Sequence, residues 1–561
     1  MTPTKSGKTT TIKIAKVRRQ QLDETQVAHK AGGQHSGLVI NKQGAASQDY
    51  GPPQLQLEFK CFLVDQKSGK HVPESRILKF WFSQDTDYLD KVTGAYEFFK
   101  ELVKPDQFPR DYVGFIKRVM KQVQNPKYLA IKKVDVDLMQ LEDQQAPPAS
   151  PGNSRKEDSR PKETVVQEQL LLTLESAYPN IMPAEDLAQM TGADRGMVEN
   201  VLQILQGRNL IKEMEPGKWV RKVLDHKTEV KVVKQMPVQM AGQKPTIAII
   251  TSKYYEKLAV DAMMEDKTTF VKYKTEGESN VYTIGYIGKH KVVSTKLPAI
   301  GRQMAAQISS GNTTTRLLGT FGDIDHVFLV GVSGSVPHYT DFYKHCRLGD
   351  VVVATPNDKG FLYIFCDKIV HDADRGEMHY ALKSWAPSDL LIQDTSAQLQ
   401  ERARNDPSFA PWETYMREGA EHLSAQEVNF SRPAPETDRL YMNIGGSDII
   451  EVGHPPIPDE AKESYKPGVS QIKTGSVASG KPIVKDDALR MDFAARHSCV
   501  TFDTEFDQVL ESIVGNRKES FAFVRGICDY LDGTKGVEWQ PYAALSAAAY
   551  MKTLIENLPA P

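Results

Sequence analysis

The sequence has no CxxC pair, and its five cysteines (Cys61, Cys346, Cys366, Cys499, Cys528) are scattered and odd in number. That excludes a disulfide framework and a thiolate zinc site, and fits reduced thiols in a reducing compartment. No apolar run approaches the roughly 20 residues that a membrane helix needs. The N-terminal stretch lacks the apolar centre of a secretory signal. Charge of one sign is also missing: 70 Lys and Arg against 72 Asp and Glu leave a net charge of −2. No global field therefore draws the chain to nucleic acid or to an anionic membrane. A cytoplasmic or nuclear protein is expected, with no metal and no cofactor.

What is present is ordinary globular composition over 561 residues, 40% hydrophobic and 25% charged. That length suggests roughly three or four domains. Residues 1–53 are rich in Lys, Gln, Gly, Ser and Thr and read as a disordered basic tail. Within it, Ser6-Gly7-Lys8-Thr9-Thr10 imitates the end of a phosphate loop. That loop needs an earlier glycine, a preceding strand and a following helix, and no strand is expected before it. Residues 54–140 read as a small α+β module. Its strand pair, from Leu55, turns near Ser68-Gly69, another strand carries Ile77 to Phe82, and two helices follow. Its dense aromatics read as core. Residues 141–163, with Pro147, Pro148 and Pro151, read as a linker.

Residues 164–222 give three helices and a short ribbon, the order of a winged helix. Leu170, Leu171, Leu174 and Tyr178 form one face, Gly192 marks the turn, and Asp194 caps the third helix. A DNA-reading helix needs cations for phosphates. Here Arg195 and Arg208 face Asp194 and Glu199, so a protein partner is favoured over DNA. The basic stretch 223–243 is the counter-argument, read otherwise as a solvated linker.

From residue 244 the texture changes to α/β. Thr246–Ile250, Val327–Val330, Val351–Ala354 and Phe521–Val524 are short apolar runs of the kind buried on both faces of a parallel sheet. Glycines follow one of them, in Gly331-Val332-Ser333-Gly334, where backbone amides could approach a ligand. Residues 370–470 read as a polar, irregular insertion. Phe521–Val524 delivers Asp529 to the loop past a strand's carboxyl end, where open α/β sheets hold ligands. A long alanine-rich helix then opens near Pro541.

Three stretches carry a resemblance. They are Tyr282-Thr-Ile-Gly-Tyr-Ile-Gly; Phe328-Leu-Val-Gly-Val-Ser-Gly-Ser-Val-Pro leading to Arg347-Leu-Gly-Asp; and Arg525-Gly-Ile-Cys-Asp-Tyr before Trp539-Gln-Pro-Tyr. With Asp438-Arg-Leu-Tyr441 and Ser476–Lys485, residues 244–557 resemble the nucleoside phosphorylase and nucleosidase superfamily of the purine and uridine phosphorylase type. The resemblance is to its branch fused to signalling or conflict domains in fungi. It implies a three-layer α/β/α domain, N-glycosidic chemistry on a purine nucleoside or nucleotide, and a homo-oligomer.

By that resemblance Asp529 supplies a proton to the leaving base. Glu505, with Thr504, holds the ribose and stabilises its developing cation. Glu256 orients or deprotonates the attacking water. Gly331, Val332, Ser333, Gly334, Ser479 and Ile483 line the substrate. Gly301 and Arg302 are the remaining phosphate candidates, because Leu329 stands where many phosphorylases place an arginine; water is thus the favoured nucleophile. Asp503-Thr504-Glu505-Phe506-Asp507 departs from the usual Glu-Met-Glu and small residues. That departure keeps open an inactive nucleoside or nucleotide sensor acting through the winged helix.

Overall fold

The structure is a computed structural model. It describes residues 1–6, 9–17, 24–31, 38–42, 50–64, 71–104, 108, 112–141, 160–222, 228–236, 244–273, 279–298, 303–372, 377–445, 448–484, 486–531 and 537–560. The Ser68-Gly69 turn and nearly all of the 141–163 linker lie outside them.

The chain begins with two strands, β1 (Thr2–Ser6) and β2 (Thr9–Ala15), where a disordered tail was expected. The reason is a period of two: Ile12 and Ile14 point inward and are buried, enough to seat β2 on its neighbour. A strand therefore does precede the phosphate-loop imitation, but Thr9 opens a second strand instead of a helix. A ribbon of β3 (Val27–Lys30) and β4 (Val39–Asn41) follows. The α+β module comprises β5 (Leu55–Val64), β6 (His71–Phe82), α1 (Tyr88–Leu102), α2 (Tyr112–Gln124) and β7 (Ile131–Gln140). Leu57, Phe59, Leu78, Phe80, Val134 and Val136 alternate onto Phe98, Phe99 and Phe115 of the helices, as one core.

The winged helix is built as read: α3 (Lys162–Ala177), β8 (Met182–Pro183), α4 (Ala184–Thr191), α5 (Arg195–Gly207), β9 (Ile211–Glu215) and β10 (Lys218–Arg221). Gly192 closes α4 in the left-handed region, φ 64°, and the Asp194 carboxylate caps α5 by accepting from Gly196 N. Leu170, Leu174, Leu187, Val198, Leu202 and Trp219 form a core of their own.

The remainder runs β11 (Glu229–Val232), β12 (Ile247–Thr251), α6 (Tyr254–Ala262), β13 (Glu265–Lys272), β14 (Asn280–Ile287), β15 (His290–Lys296), α7 (Gln303–Thr320), β16 (His326–Ser335), β17 (Val351–Ala354), β18 (Tyr363–Asp372), β19 (Glu377–Trp385), α8 (Leu391–Asn405), α9 (Pro411–His422), β20 (Leu440–Gly445), β21 (Asp448–Val452), β22 (Ile472–Ser479), α10 (Lys481–Val484), α11 (Asp487–His497), β23 (Cys499–Phe502), α12 (Asp507–Gly515), β24 (Ser520–Asp529) and α13 (Trp539–Glu556). Twelve strands make one mixed sheet in the order β11-β13-β14-β15-β12-β16-β24-β17-β22-β18-β19, with β23 pairing β16 and β22. Successive residues of its central strands feed opposite faces. Ile247, Ile249, Ala522 and Val524 join Leu545 and Leu554 of α13. Ala248, Ile250, Phe521 and Phe523 join Leu317 of α7 and Val509 of α12. Gly526 lets α13 lie directly on β24, since a Cβ there would meet the Ala543 carbonyl at 1.8 Å.

Two further expectations are corrected. Part of the basic linker is β11, paired parallel to β13 at the sheet edge. The "irregular" insertion holds β18, β19, two helices, and the pair β20–β21. That pair extends the N-terminal sheet, whose order is β1-β2-β7-β6-β5-β21-β20. Glu451 and Val452 pair with Lys60 and Phe59, a contact so distant in sequence that local pattern could not announce it.

Candidate functional site

The site forms where β12, β16, β23 and β24 end together. The glycine segment 331–334 is strand, not loop: β16 runs on to Ser335, with β24 parallel beside it. The missing side chains still matter. A Cβ on Gly331 would lie 2.4 Å from Glu256 Oε1 and 2.6 Å from Arg525 Nη1. A Cβ on Gly334 would lie 2.5 Å from Asp529 Oδ1. The two glycines thus make the room that the charged side chains occupy. Strand β24 also runs on to Asp529, which was expected in the loop past the strand's end. Its register slips so that Gly334 faces Asp529 and Cys528 is the extra residue. Such a bulge re-aims the side chain beside it. On the other flank Gly334 pairs with Phe502, so Asp503, Thr504 and Glu505 follow directly beyond. Asp529 and the 503–505 segment therefore flank one residue of β16.

Glu256 is the third residue of α6 and is buried. Its Oε2 accepts from Ser252 N (2.8 Å), Ser252 Oγ (3.1 Å) and Lys253 N (2.8 Å), and its Oε1 accepts from Val332 N (3.0 Å). Four donors thus meet the roughly four lone-pair sites of a carboxylate, and Oε1, with one donor, shares the space beside Gly331 with Arg525 Nη1. Asp529 is half-buried, and its Oδ1 accepts from Leu531 N at 3.0 Å. Glu505, also half-buried, accepts from Lys481 N at 3.2 Å. Thr504 is exposed, and its amide donates to Asp503 Oδ1. Ser479 is fully buried and donates to the Asp503 carbonyl. Ser333 Oγ is buried with no hydrogen-bond partner among the described residues. Ile483 sits in a closed apolar cluster with Val336, Ile364 and Phe493. Gly301 and Arg302 lie outside the described residues.

Several neighbours were not singled out from the sequence. Arg525 Nε lies 2.5 Å from Asp503 Oδ2, an ion-pair contact without hydrogen-bond alignment, and both side chains are buried. Burial pushes the Asp503 carboxyl up to about 6 against the pull of Arg525, and Glu256 nearby adds to the rise. Tyr255 donates to Gln540 Oε1. Burial raises its phenol, and the charges of Glu256, Cys528 and Asp529 raise it further. Arg525 and Tyr255 belonged to stretches already notable in the sequence, but what they touch depends on strand register.

Tyr530, next to Asp529, is tied to distant parts of the chain. Tyr530 donates to Asp438 Oδ1 at 2.5 Å and accepts from Leu348 N at 3.2 Å. Arg347 Nη2 lies 2.8 Å from Asp438 Oδ2, His345 stacks on Tyr530 at 5.5 Å, and Trp539 donates to Thr437 Oγ1. The short motifs at 347–350, 438–441, 525–530 and 539–542 thus meet at one place. Asp438 lies two residues before β20, so an end strand of the N-terminal sheet leads from this contact.

The first turn of α6 also faces the winged helix. Tyr254 meets Tyr178 edge-on at 5.6 Å and lies 4.9 Å beneath Arg221. Lys296, beside Thr251 in the sheet, is buried and donates to the carbonyls of Ser176 (2.8 Å), Tyr178 (3.2 Å) and Leu297 (3.0 Å). Arg195 on α5 is paired with Glu199 at 2.9 Å and Glu185 at 3.3 Å, which neutralises the candidate reading helix. All five cysteines are buried and unbridged. Among the described residues no helix is long and apolar enough to cross a membrane, and no cluster of His, Cys, Asp or Glu could hold a metal.

Residues 156–223 match the winged helix-turn-helix domain family. A "nucleotide-binding leucine-rich repeat (NLR)-like protein" of Hyaloscypha variabilis is 25% identical over 316 residues, 56% of this chain. The chain spans 30% of that relative's length. Among solved structures, the chain is similar to the 5'-methylthioadenosine/S-adenosylhomocysteine nucleosidase of Neisseria meningitidis, in complex with methylthio-immucillin-A. That match has 14% identity, 56% of this chain, 100% of that one and a TM-score of 0.33. Futalosine hydrolase of Helicobacter pylori is similar at 15% identity, over 57% of this chain and 100% of that one, TM-score 0.33. The S-adenosylhomocysteine nucleosidase of Streptococcus pyogenes is similar at 16%, over 57% and 100%, TM-score 0.33.

Proposed function

We propose that residues 244–557 form a three-layer α/β/α domain that hydrolyses the N-glycosidic bond of a purine nucleoside or nucleotide. One observation carries the reading: Glu256, Asp529 and the 503–505 segment gather around the side-chain-free residues Gly331 and Gly334. Ser333 Oγ and Arg525 Nη2, buried without hydrogen-bond partners among the described residues, lie on the same two paired strands and suit a ligand's hydroxyl groups.

In this reading Asp529 protonates the departing base as the C–N bond breaks. Glu505 accepts from a ribose hydroxyl, and its charge stabilises the sugar cation. Water forms the new C–O bond and passes a proton to Oε1 of Glu256. Thr504, Val332 and Ser479 shape the sugar side. An oligomer, a protein partner for the winged helix and a cytoplasmic or nuclear setting complete the proposal.

A second reading is favoured by the shared first turn of α6: a sensor that binds the nucleoside without turnover and passes occupancy to the winged helix. The test is to incubate the full chain with nucleosides and nucleotides, with and without phosphate, and measure free base. Base release that is independent of phosphate and abolished by Asp529→Asn supports hydrolysis. Thermal stabilisation by ligand without release supports the sensor. Neither effect with any ligand refutes both.

A further inference from the structure

A cavity of about 370 Å³ opens elsewhere on the C-terminal domain, lined by Lys359, His379, Tyr380, Arg496 and His497. It lies between the turn before β18, strand β19 and the carboxyl end of α11. Four of these five side chains bear basic nitrogen, and none is a carboxylate. The volume falls within the roughly 300–1,000 Å³ range of small-molecule sites.

The cavity is a built one. Asn357 Oδ1 accepts from the amides of Lys359 and Phe361, and its Nδ2 donates to the His497 carbonyl at 2.8 Å. That fastens the lysine-bearing turn to the end of α11. Asp492, one turn back on α11, accepts from Tyr380 Oη at 2.6 Å and from Arg496 Nε at 3.0 Å. It fixes both side chains without lining the cavity. Arg496 also lies over the Tyr380 ring at 5.6 Å. An independent observation comes from His497. The residue is 9% exposed, and its Nδ1 is buried with no hydrogen-bond partner among the described residues. Burial lowers the His497 pKa, and the cations of Lys359 and Arg496 lower it further, a repulsion that an anion would relieve.

We propose that this cavity binds a small phosphorylated molecule of the nucleoside monophosphate class. Lys359 and Arg496 hold the phosphate as charge-assisted donors. The Tyr380 ring supplies a face for the base. Lys359 and Arg496 are exposed, so replacing them leaves the fold intact, as an unchanged melting temperature will show.

The test titrates the full chain with AMP, inorganic phosphate and adenosine, comparing wild type with Lys359→Ala/Arg496→Ala. AMP affinity is expected to fall at least tenfold in the variant, while adenosine, which has no phosphate, binds both proteins alike. Tyr380→Leu is expected to weaken AMP more than inorganic phosphate. Equal AMP affinity in the two proteins, or no AMP binding to wild type at millimolar concentration, overturns the proposal. Both proteins keep the Asp529 cluster unchanged, so the difference between them reports this cavity alone.

Discussion

Replacing Glu256 by glutamine isolates its role in holding the site together. Its Oε2 serves three donors on Ser252 and Lys253, and its Oε1 serves Val332 N. A glutamine keeps most of this by turning its carbonyl oxygen to the three donors. Its NH₂ group then faces the Val332 N–H, donor against donor. Leaving one buried amide without an acceptor costs about 1–3 kcal/mol. Removing the negative charge from the first turn of α6 costs about 0.3–1 kcal/mol more. A local loss of about 1.3–4 kcal/mol is expected, equivalent to a roughly tenfold or greater rise in opening at 1.4 kcal/mol per factor of ten. Amide hydrogen exchange reads this directly. Val332 is expected to exchange faster in Glu256→Gln by about that factor, with the winged-helix amides of α4 unchanged. Unchanged protection at Val332 would refute the clamp.

Other outcomes follow from the same geometry. Gly526→Ala is expected to drive α13 off β24, because the added Cβ meets Ala543 O at 1.8 Å; denaturant unfolding should show a loss above about 3 kcal/mol. Gly319→Ala, in a helix with nothing within 4 Å of the new Cβ, should instead gain about 0.5–1 kcal/mol. Burial pushes the carboxyls of Asp503 and Asp350 up to about 6 from 3.8. Each adds stability that is complete below the ordinary value and is lost as pH rises through about 6. The melting temperature of wild type should therefore fall more than that of Asp503→Asn between about pH 4 and 6. Lys296→Ala removes three donated hydrogen bonds to carbonyls, and small-angle scattering should show the winged helix released; an unchanged profile would contradict that docking.

The parts legible in the sequence were those written locally. The winged helix could be read from its apolar spacing, Gly192 and Asp194. The buried strands β12, β17 and β24 could be read from unbroken apolar runs. Asp529 and Glu505 could be placed near strand ends. What escaped depends on partners far away. Ile12 and Ile14 are a weak alternation whose meaning appears only against β7. Strands β20 and β21 extend a sheet begun nearly 400 residues earlier, as Lys60 and Glu451 pair across it. Gly331 and Gly334 resemble a loop until β24 is set beside them and the charged side chains fill their space. The Arg347–Asp438–Tyr530 contact joins three short motifs whose meeting no spacing rule specifies.

The most direct measurement is the release of free base from purine nucleosides and nucleotides by the full chain in phosphate-free buffer, for wild type and Asp529→Asn. Release by wild type, lost in the variant while ligand affinity persists, is the expected result. No release by wild type, or equal release by both, would contradict hydrolysis at this cluster of acids.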